Sequence, residues 1–292
     1  VPEETPALGA LIGRKLGFEW PRRSGDGPKK AMHTTVMSGR ATRDDPRSLI
    51  IFYRSHLGSC GNLFEQLLRY RDRDRRRITL QGDLSTSNLV TAADLLELFE
   101  VRQIACYAHA RRPFALYEDE DPEHCEYMLH LFLGLAIYEK QLDAVGRNEK
   151  NVLAVRRSES REIWNEILEL ATSMTERWSK ATNLGTAARY IINHFAELTA
   201  YLDDPHLEAT NNLRERMLRT EKLIENSSMF RRSIEGRFVL DIVRTLLQTT
   251  VAARAPAHEY LVWVLRSSPE DVAARPADFT PRAWLAQRPA PA

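Results

Sequence analysis

Cysteine is scarce in this chain. Three residues of 292, Cys60, Cys106 and Cys125, do not make a disulfide framework, so a reducing cytoplasm is the expected compartment. Long apolar runs are missing too. The greasiest stretch, EYLVWVLRSS from Glu259, is far shorter than the roughly 18 residues a membrane span needs, and no secretory pattern is present. Nor is there an excess of one charge. Lys and Arg number 41 against 40 Asp and Glu, which argues against a uniformly basic nucleic-acid coat but not against a local basic site. Nothing resembles a phosphate-binding glycine loop, a nucleophile elbow or a catalytic triad.

What is present describes an ordinary globular protein, 43% hydrophobic and 28% charged, long enough for one large domain or two smaller ones. It begins at Val1 without an initiator Met and so reads as a piece of something longer. Six arginines crowd RYRDRDRRR at 69–77, and a looser basic group runs from Arg214 to Arg254. Against them stands the acidic EDEDPEHCE at 118–126, read as a solvated loop and helix start.

The first hundred residues read as strands punctuated by loops. RSGDGPKK at 23–30 is turn-rich. MHTTVMSG at 32–39 alternates like a strand, and SLIIFYRS at 48–55 is a buried apolar run. CGNLFEQLLRYRD at 60–72 carries one helical stripe, RITLQGD at 77–83 is a strand ending at Asp83, TAADLLELFE at 91–100 is a helix, and VRQIACYAHA at 101–110 a further strand. The expected order is three strands, a helix, a strand, a helix and a strand, which implies a mixed sheet covered by helices. After residue 110 the pattern turns helical. YMLHLFLGLAIYEKQL (127–142) is apolar nearly all round and expected to be deeply buried. Helices are also expected at 160–178, with Trp164, Ile167, Leu168, Ala171, Met174 and Trp178 on one stripe, at 183–204 and at 236–255. The tail from Pro269, rich in Pro and Ala, should be loosely held.

Two carboxylates and one cysteine motif could carry chemistry. Asp83 ends a strand, where ligands bind in open sheets, but an Asp there also caps the turn DLSTSN. Glu215 sits among Arg214, Arg216 and Arg219 in EATNNLRERMLR at 208–219. It is either an acid for a metal beside arginines for phosphate, or a residue paired with Arg219 four positions on. Cys106 and His109, with His124 and Cys125 downstream, have metal-like spacing. Adjacent ligands suit zinc poorly, and a buried Cys with a hydrogen-bonded His is the plainer reading.

Taken in order, ACYAHARRPF (105–114), NLGTAARYIINHFAELTAYLDD (183–204), LEATNNLRERMLR (207–219), MFRRSIEGRFVLDIVRTLLQT (229–249) and PADFTPRAWL (276–285) resemble the IS66 family of bacterial insertion-sequence transposases. That family shows Cys-x-Ala-His-x-Arg-Arg-x-Phe, an Asp-Asn-Asn-x-x-Glu-Arg helix and a closing Pro-Trp tail. The likeness extends back through GDLSTSN and EETP, over nearly the whole chain.

The resemblance implies an α/β, ribonuclease H-like core of the DDE type, interrupted by a helical insertion. Its first part would cover residues 1–110, the insertion 111–182, a helical part carrying the catalytic Glu 183–255, and the tail 256–292. The implied activity is DNA cleavage and strand transfer at insertion-sequence ends, with target DNA as the second substrate and a homo-oligomer assembled on DNA. The cofactor would be two magnesium or manganese ions, hard cations suited to carboxylates and spaced about 3.5–4 Å in such sites. Carried over by position, the metal-holding acids are Asp83, Glu215 and Glu3. Arg111, Arg112, Arg214, Arg216 and Arg219 would meet DNA phosphates.

Three departures from the family stand out. Glu3 replaces its first Asp, which moves the carboxylate by about 1.5 Å, and a 1 Å misplacement can cost about a hundredfold in rate. Thr210 replaces the Asp before the Asn pair, and ENS at 225–227 replaces Arg-Lys-Asn. The alternative that follows is a catalytically inactive, transposase-derived DNA-binding module using the two basic groups.

Overall fold

The structure, a computed structural model, describes residues 33–40, 49–56, 59–74, 76–85, 88–211, 217–219 and 234–288. The chain is mixed α/β, mostly helical with small sheets, and falls into two compact units. One comprises Val1–Gly58 with Arg214–Ala292, the other Ser59–Leu213. The first opens with β1 (His33–Arg40) and β2 (Leu49–His56), antiparallel, with Val36 opposite Tyr53. Alternation along β2 buries Ile51, Tyr53 and Ser55, as a half-covered strand requires. The loop at 23–30 and any third strand before β1 lie outside the described residues.

The second unit begins at α1 (Cys60–Arg69), whose N-terminus is capped by the Ser59 hydroxyl accepting from Asn62 N–H at 3.3 Å. It continues through β3 (Arg77–Gly82), α2 (Ala93–Leu98) and β4 (Glu100–Ala105). β3 and β4 pair in parallel, with Gly82 opposite Ala105. The crossover between them includes α2, as a parallel pair demands. Glu65 of α1 accepts the amides of Thr91 and Ala92 at 2.7 and 2.9 Å, which satisfies donors at the start of α2. Leu68, Ile78, Val90, Leu95 and Phe99 form a small core here.

Then come α3 (Tyr107–Leu116), α4 (Pro122–Val145) and α5 (Glu149–Val155). A single π-helical turn, Arg156–Ser160, runs on into α6 (Arg161–Arg177), and α7 (Asn183–Asn193) and α8 (Phe195–Thr199) follow. Trp164, Ile167, Ala171 and Met174 are buried along the expected stripe of α6. Trp164 packs edge-on to Phe132 and Phe195, each at 6.0 Å, and its indole N–H donates to the Tyr201 hydroxyl at 3.1 Å. Gly185 has a steric reason. A methyl group there would collide with the carbonyl of Ser179.

Arg156, in the π-helical turn, is 0% exposed. Its Nε and Nη2 bind the two oxygens of Glu139 at 2.7 and 3.0 Å, and Nη1 donates to the carbonyls of Tyr201 and Asp204 at 2.9 and 3.1 Å. Asp121, 4% exposed, begins α4 and accepts from Trp178 Nε1 at 2.9 Å, with His124 at 3.0 Å and Arg177 at 3.7 Å. Burial alone would raise its pKa. The Trp178 and His124 hydrogen bonds and the nearby charges outweigh that and hold it below the usual range.

The first unit resumes with α9 (Ile234–Ala252), whose side chains bond the backbone of β2. Asp241 accepts the Ser55 N–H at 2.6 Å and Thr245 accepts that of Tyr53 at 3.0 Å. The Thr249 hydroxyl accepts the Ile51 N–H and donates to the Ile51 carbonyl, both at 3.0 Å. Beyond it lie α10 (Ala257–Arg266), α11 (Pro269–Ala274) and α12 (Pro281–Ala286).

Several expectations are corrected. Among the described residues the strands are met as one antiparallel and one parallel pair, one in each unit. The strand expected over 101–110 ends at Ala105, and Tyr107 already starts α3. α4 buries one face only, with Leu133 and Ile137 at 53% and 47% exposure. Its buried positions, Cys125, Met128, Leu131, Phe132, Leu135 and Leu142, follow helical spacing. The helix expected over 183–204 breaks at His194 and finishes in a 3-10 turn, Ala200–Asp203. The tail is not loose either. Trp284 is buried 5.4 Å from Tyr260, whose hydroxyl donates to the Phe279 carbonyl at 2.7 Å.

Two outcomes follow for stability. Arg156→Ala leaves the Tyr201 and Asp204 carbonyls without their donor, while Arg147 still pairs with Glu139 at 2.8 Å, and is expected to cost about 2–3 kcal/mol in urea unfolding. Because the Asp121 pKa is depressed on folding, its contribution is complete above the unfolded value of about 3.9 and is lost as pH falls through the folded value. The stability gap between wild type and Asp121→Asn, measured by denaturant titration, should therefore be wide at pH 7 and shrink below about pH 4.

Candidate functional site

β3 places Asp83 where its chain leaves the sheet, at the carboxyl ends of two parallel strands, the position at which open α/β sheets bind ligands. Cys106 stands beside it, its N–H donating to the Gly82 carbonyl at 2.9 Å. Asp83 is half-buried. Its Oδ1 accepts the Ser85 N–H at 3.1 Å and the side-chain amide of Asn88. The turn-capping role read from DLSTSN is thus realised.

Two further features fix this loop. Leu84 has a left-handed backbone, φ 54°, a conformation that costs a β-carbon-bearing residue about 1–2 kcal/mol. Its side chain packs against the helical core, which offsets that strain. From α7, the Tyr190 hydroxyl donates to the Asp83 carbonyl at 3.3 Å. Burial, and then the Asp83 charge, push the Tyr190 pKa up to about 12, so it remains a neutral donor at physiological pH.

Of the expected metal-holding acids, Asp83 is described, and Glu3 and Glu215 lie outside the described residues, as do Arg214 and Arg216. An ionisable, half-exposed carboxylate at a strand's end fits a hard divalent cation. Among the described residues, no three His, Cys, Asp or Glu side chains stand together as a metal-holding group. Arg111 and Arg112 are exposed on α3, and Arg219 is exposed as well.

The cysteine motif divides. Cys106 is buried and its sulfur accepts the Asn211 N–H at 3.3 Å. His124 is held by Asp121, and burial pushes the Cys125 thiol up to about 11, which makes it a poor thiolate. Much of the basic run at 69–77 is spent locally. Arg69 pairs with Asp94 at 2.6 Å, Arg77 with Glu100 at 3.1 Å, and Arg76 donates to the carbonyls of Leu98 and Glu97.

Sequence reasoning passed over the anchoring of residues 208–211. Gln81, two residues before Asp83, donates its side-chain amide to the Glu208 carbonyl, and the Cys106 sulfur holds Asn211. A Gln inside a strand carries no local signal for such a bond. Tyr190 was likewise hidden in an amphipathic helix.

These observations define a class: a mixed α/β protein with a carboxylate-bearing loop at the ends of a parallel strand pair, continued by a helical region. The chain belongs to the transposase IS66 family, whose family model matches residues 89–237, a span that includes Glu215, Arg111 and Arg112 and stops short of Asp83. It is also similar to a curated protein of Sinorhizobium fredii, described as Uncharacterized protein y4jD. The two are 22% identical over 213 residues, 70% of this chain and 41% of that protein. The chain therefore spans less than half the length of that relative. No solved structure matches it. No helix among the described residues is long and apolar enough to cross a membrane.

Capping and charge at Asp83 are separable by substitution. Asp83→Asn keeps an acceptor for Ser85 and should hold the unfolding free energy within about 0.5 kcal/mol of wild type. Asp83→Ala loses both bonds and should cost about 1–2 kcal/mol. Equal losses in thermal and urea unfolding would show that the carboxylate charge, not the acceptor, supports the loop.

Proposed function

We propose that this chain is the catalytic region of a DDE-type transposase that cleaves DNA at insertion-sequence ends and joins those ends to target DNA. The observation that carries the reading is Asp83, a carboxylate at the carboxyl end of β3 in a chain of the transposase IS66 family. The order antiparallel pair, helix, strand ending in an acid, helix and parallel strand supports a ribonuclease H-like core. In this reading residues 111–182 are its helical insertion and 183–255 its return.

Asp83, Glu215 and Glu3 would hold two magnesium or manganese ions. Bound there, such ions supply Lewis-acid activation of a hydroxyl nucleophile and neutralise charge on the reacting phosphate. The chain's own part is positioning. The Ser85 and Asn88 bonds and the Tyr190 hydroxyl keep the Asp83 loop fixed. Arg111, Arg112, Arg214, Arg216 and Arg219 engage phosphates, which sets register and salt dependence without reading sequence. Water attacks the phosphodiester at the element's end and releases a 3′ hydroxyl. That hydroxyl then attacks target DNA, forming one P–O bond as another breaks. Two ends must be joined, so the working species is a homo-oligomer on DNA.

A second reading, an inactive transposase-derived DNA-binding module, draws on Glu3 in place of Asp and on the Asp83 Oδ1 bonds to its own loop. Manganese titration by calorimetry separates the two. The first reading expects saturable binding by the native chain, lost in Asp83→Ala, and end-cleavage raised up to about a hundredfold in Glu3→Asp. Binding that appears only in Glu3→Asp would mark a site disabled at one position. No binding in any variant, with DNA affinity that falls with salt but ignores metal, would overturn the first reading in favour of the second.

A further inference from the structure

The sequence of α4 and its burial disagree. YMLHLFLGLAIYEKQL is apolar nearly all round, and a helix of that kind is normally covered on every side. Within its unit, α4 turns Cys125, Met128, Leu131, Phe132 and Leu135 into the helical core on one face. One flank is closed as well. There the Tyr127 and Tyr138 hydroxyls donate to Glu166 and Glu159 at 3.0 and 3.5 Å, and a β-carbon at Gly134 would press on Ile163 of α6. The strip that is left is Glu126, His130, Leu133, Ile137, Lys140 and Ala144, all exposed. Their spacing alternates between four and three residues, the period of a coiled-coil seam.

We propose that this strip is a self-association surface, on which α4 of one chain lies antiparallel against α4 of a second copy. Two exposed apolar residues alone would mean little. The order of charges along the seam decides the occupant. Glu126 lies on the N-terminal side of Leu133 and Ile137, Lys140 lies on the C-terminal side, and neither enters an ion pair among the described residues. An antiparallel copy centred between Leu133 and Ile137 packs Leu133 of each chain on Ile137 of the other. It also brings Glu126 of each chain to about 6 Å, one helical turn, along the axis from Lys140 of the other. Two long side chains span that distance. A parallel copy would set Glu126 on Glu126 and Lys140 on Lys140, like charges at both ends. A strip with one sign at each end is complementary to itself reversed, as a two-fold interface requires.

Two apolar layers cover far less than the roughly 1,600 Å² of a standard interface, so the free chain pairs weakly. Joining two element ends would hold two chains close together on DNA, where local concentration compensates for small area. The pairing itself stands on α4 alone and does not depend on the metal reading of Asp83.

Sedimentation velocity on the whole chain at low salt, from about 5 to 500 µM, tests the seam. The native chain should form a reversible dimer. Leu133→Glu should raise the dissociation constant at least about tenfold. Lys140→Glu should raise it about three- to tenfold, an effect that fades as added salt screens the pair. The double variant Glu126→Lys with Lys140→Glu reverses the charge order and should return the dimer to within about twofold of native. All three positions are exposed, and circular dichroism checks that each variant keeps its helices. A chain that stays monomeric over the whole range, or a dimer that Leu133→Glu leaves unchanged, would overturn the proposal. A double variant no tighter than Lys140→Glu would overturn the antiparallel arrangement. Manganese titration of the same samples reports the metal site separately, so either reading can fail alone.

Discussion

The helical part of the Ser59–Leu213 unit is organised around the fully buried Arg156 and its partly buried partner Glu139. Taking two charges out of water costs several kcal/mol each, and their attraction repays this only when the geometry is good and the remaining donors are used. Here a two-toothed contact with Glu139 occupies Nε and Nη2, and two backbone carbonyls occupy Nη1. The guanidinium also stacks over the Tyr201 ring at 5.0 Å. One side chain thereby ties α4 to the π-helical turn and to the 3-10 turn at 200–203. The π-helical turn belongs to this arrangement, because Arg156 and Ser160, four residues apart within it, are both buried.

From that ion pair the chain runs directly to the candidate site. Asp204 lends its carbonyl to Arg156, and Glu208 and Asn211 bind the ends of β3 and β4. The segment is held at one end by a charge in the helical core and at the other by the sheet. Asp83 answers from the opposite side through Tyr190 of α7. Helical region and sheet end therefore share their fixing points within this unit.

Much of this was legible in the sequence where period alone decides. The α6 stripe, β2 and the strand ending at Asp83 follow from spacing. What spacing cannot show is which polar residue is paired. Arg156 lies in RRSES, a stretch that reads as solvent-facing, and Glu139, 17 residues away, together with the Tyr201 and Asp204 carbonyls makes its burial tolerable. Asp121 was hidden in the same way inside a run whose other acidic residues are exposed. Composition misled at the tail, where Pro and Ala suggested looseness but Tyr260, Phe279 and Trp284 supply an apolar anchor. At the site, likeness to a family pointed to Asp83 before any geometry did, and the anchoring by Gln81 and Cys106 has no counterpart in residue pattern.

The seam between α9 and β2 carries a built-in limit on its own length. Its three helix side chains are four residues apart, about 6.0 Å along the axis, while the strand residues they meet are two apart, about 6.8 Å. The two rulers drift by roughly 0.8 Å at every step. Three contacts centred on Thr245 absorb the drift, with the longer Asp241 at one end. A fourth in either direction would be out of reach of a short side chain, and the next positions are Arg237 and Ala253. The mismatch works as a vernier: it admits one alignment of helix against strand and penalises a slide by a turn. The same contacts occupy the strand's outward amides, so along those residues β2 offers no free edge to a strand from another molecule.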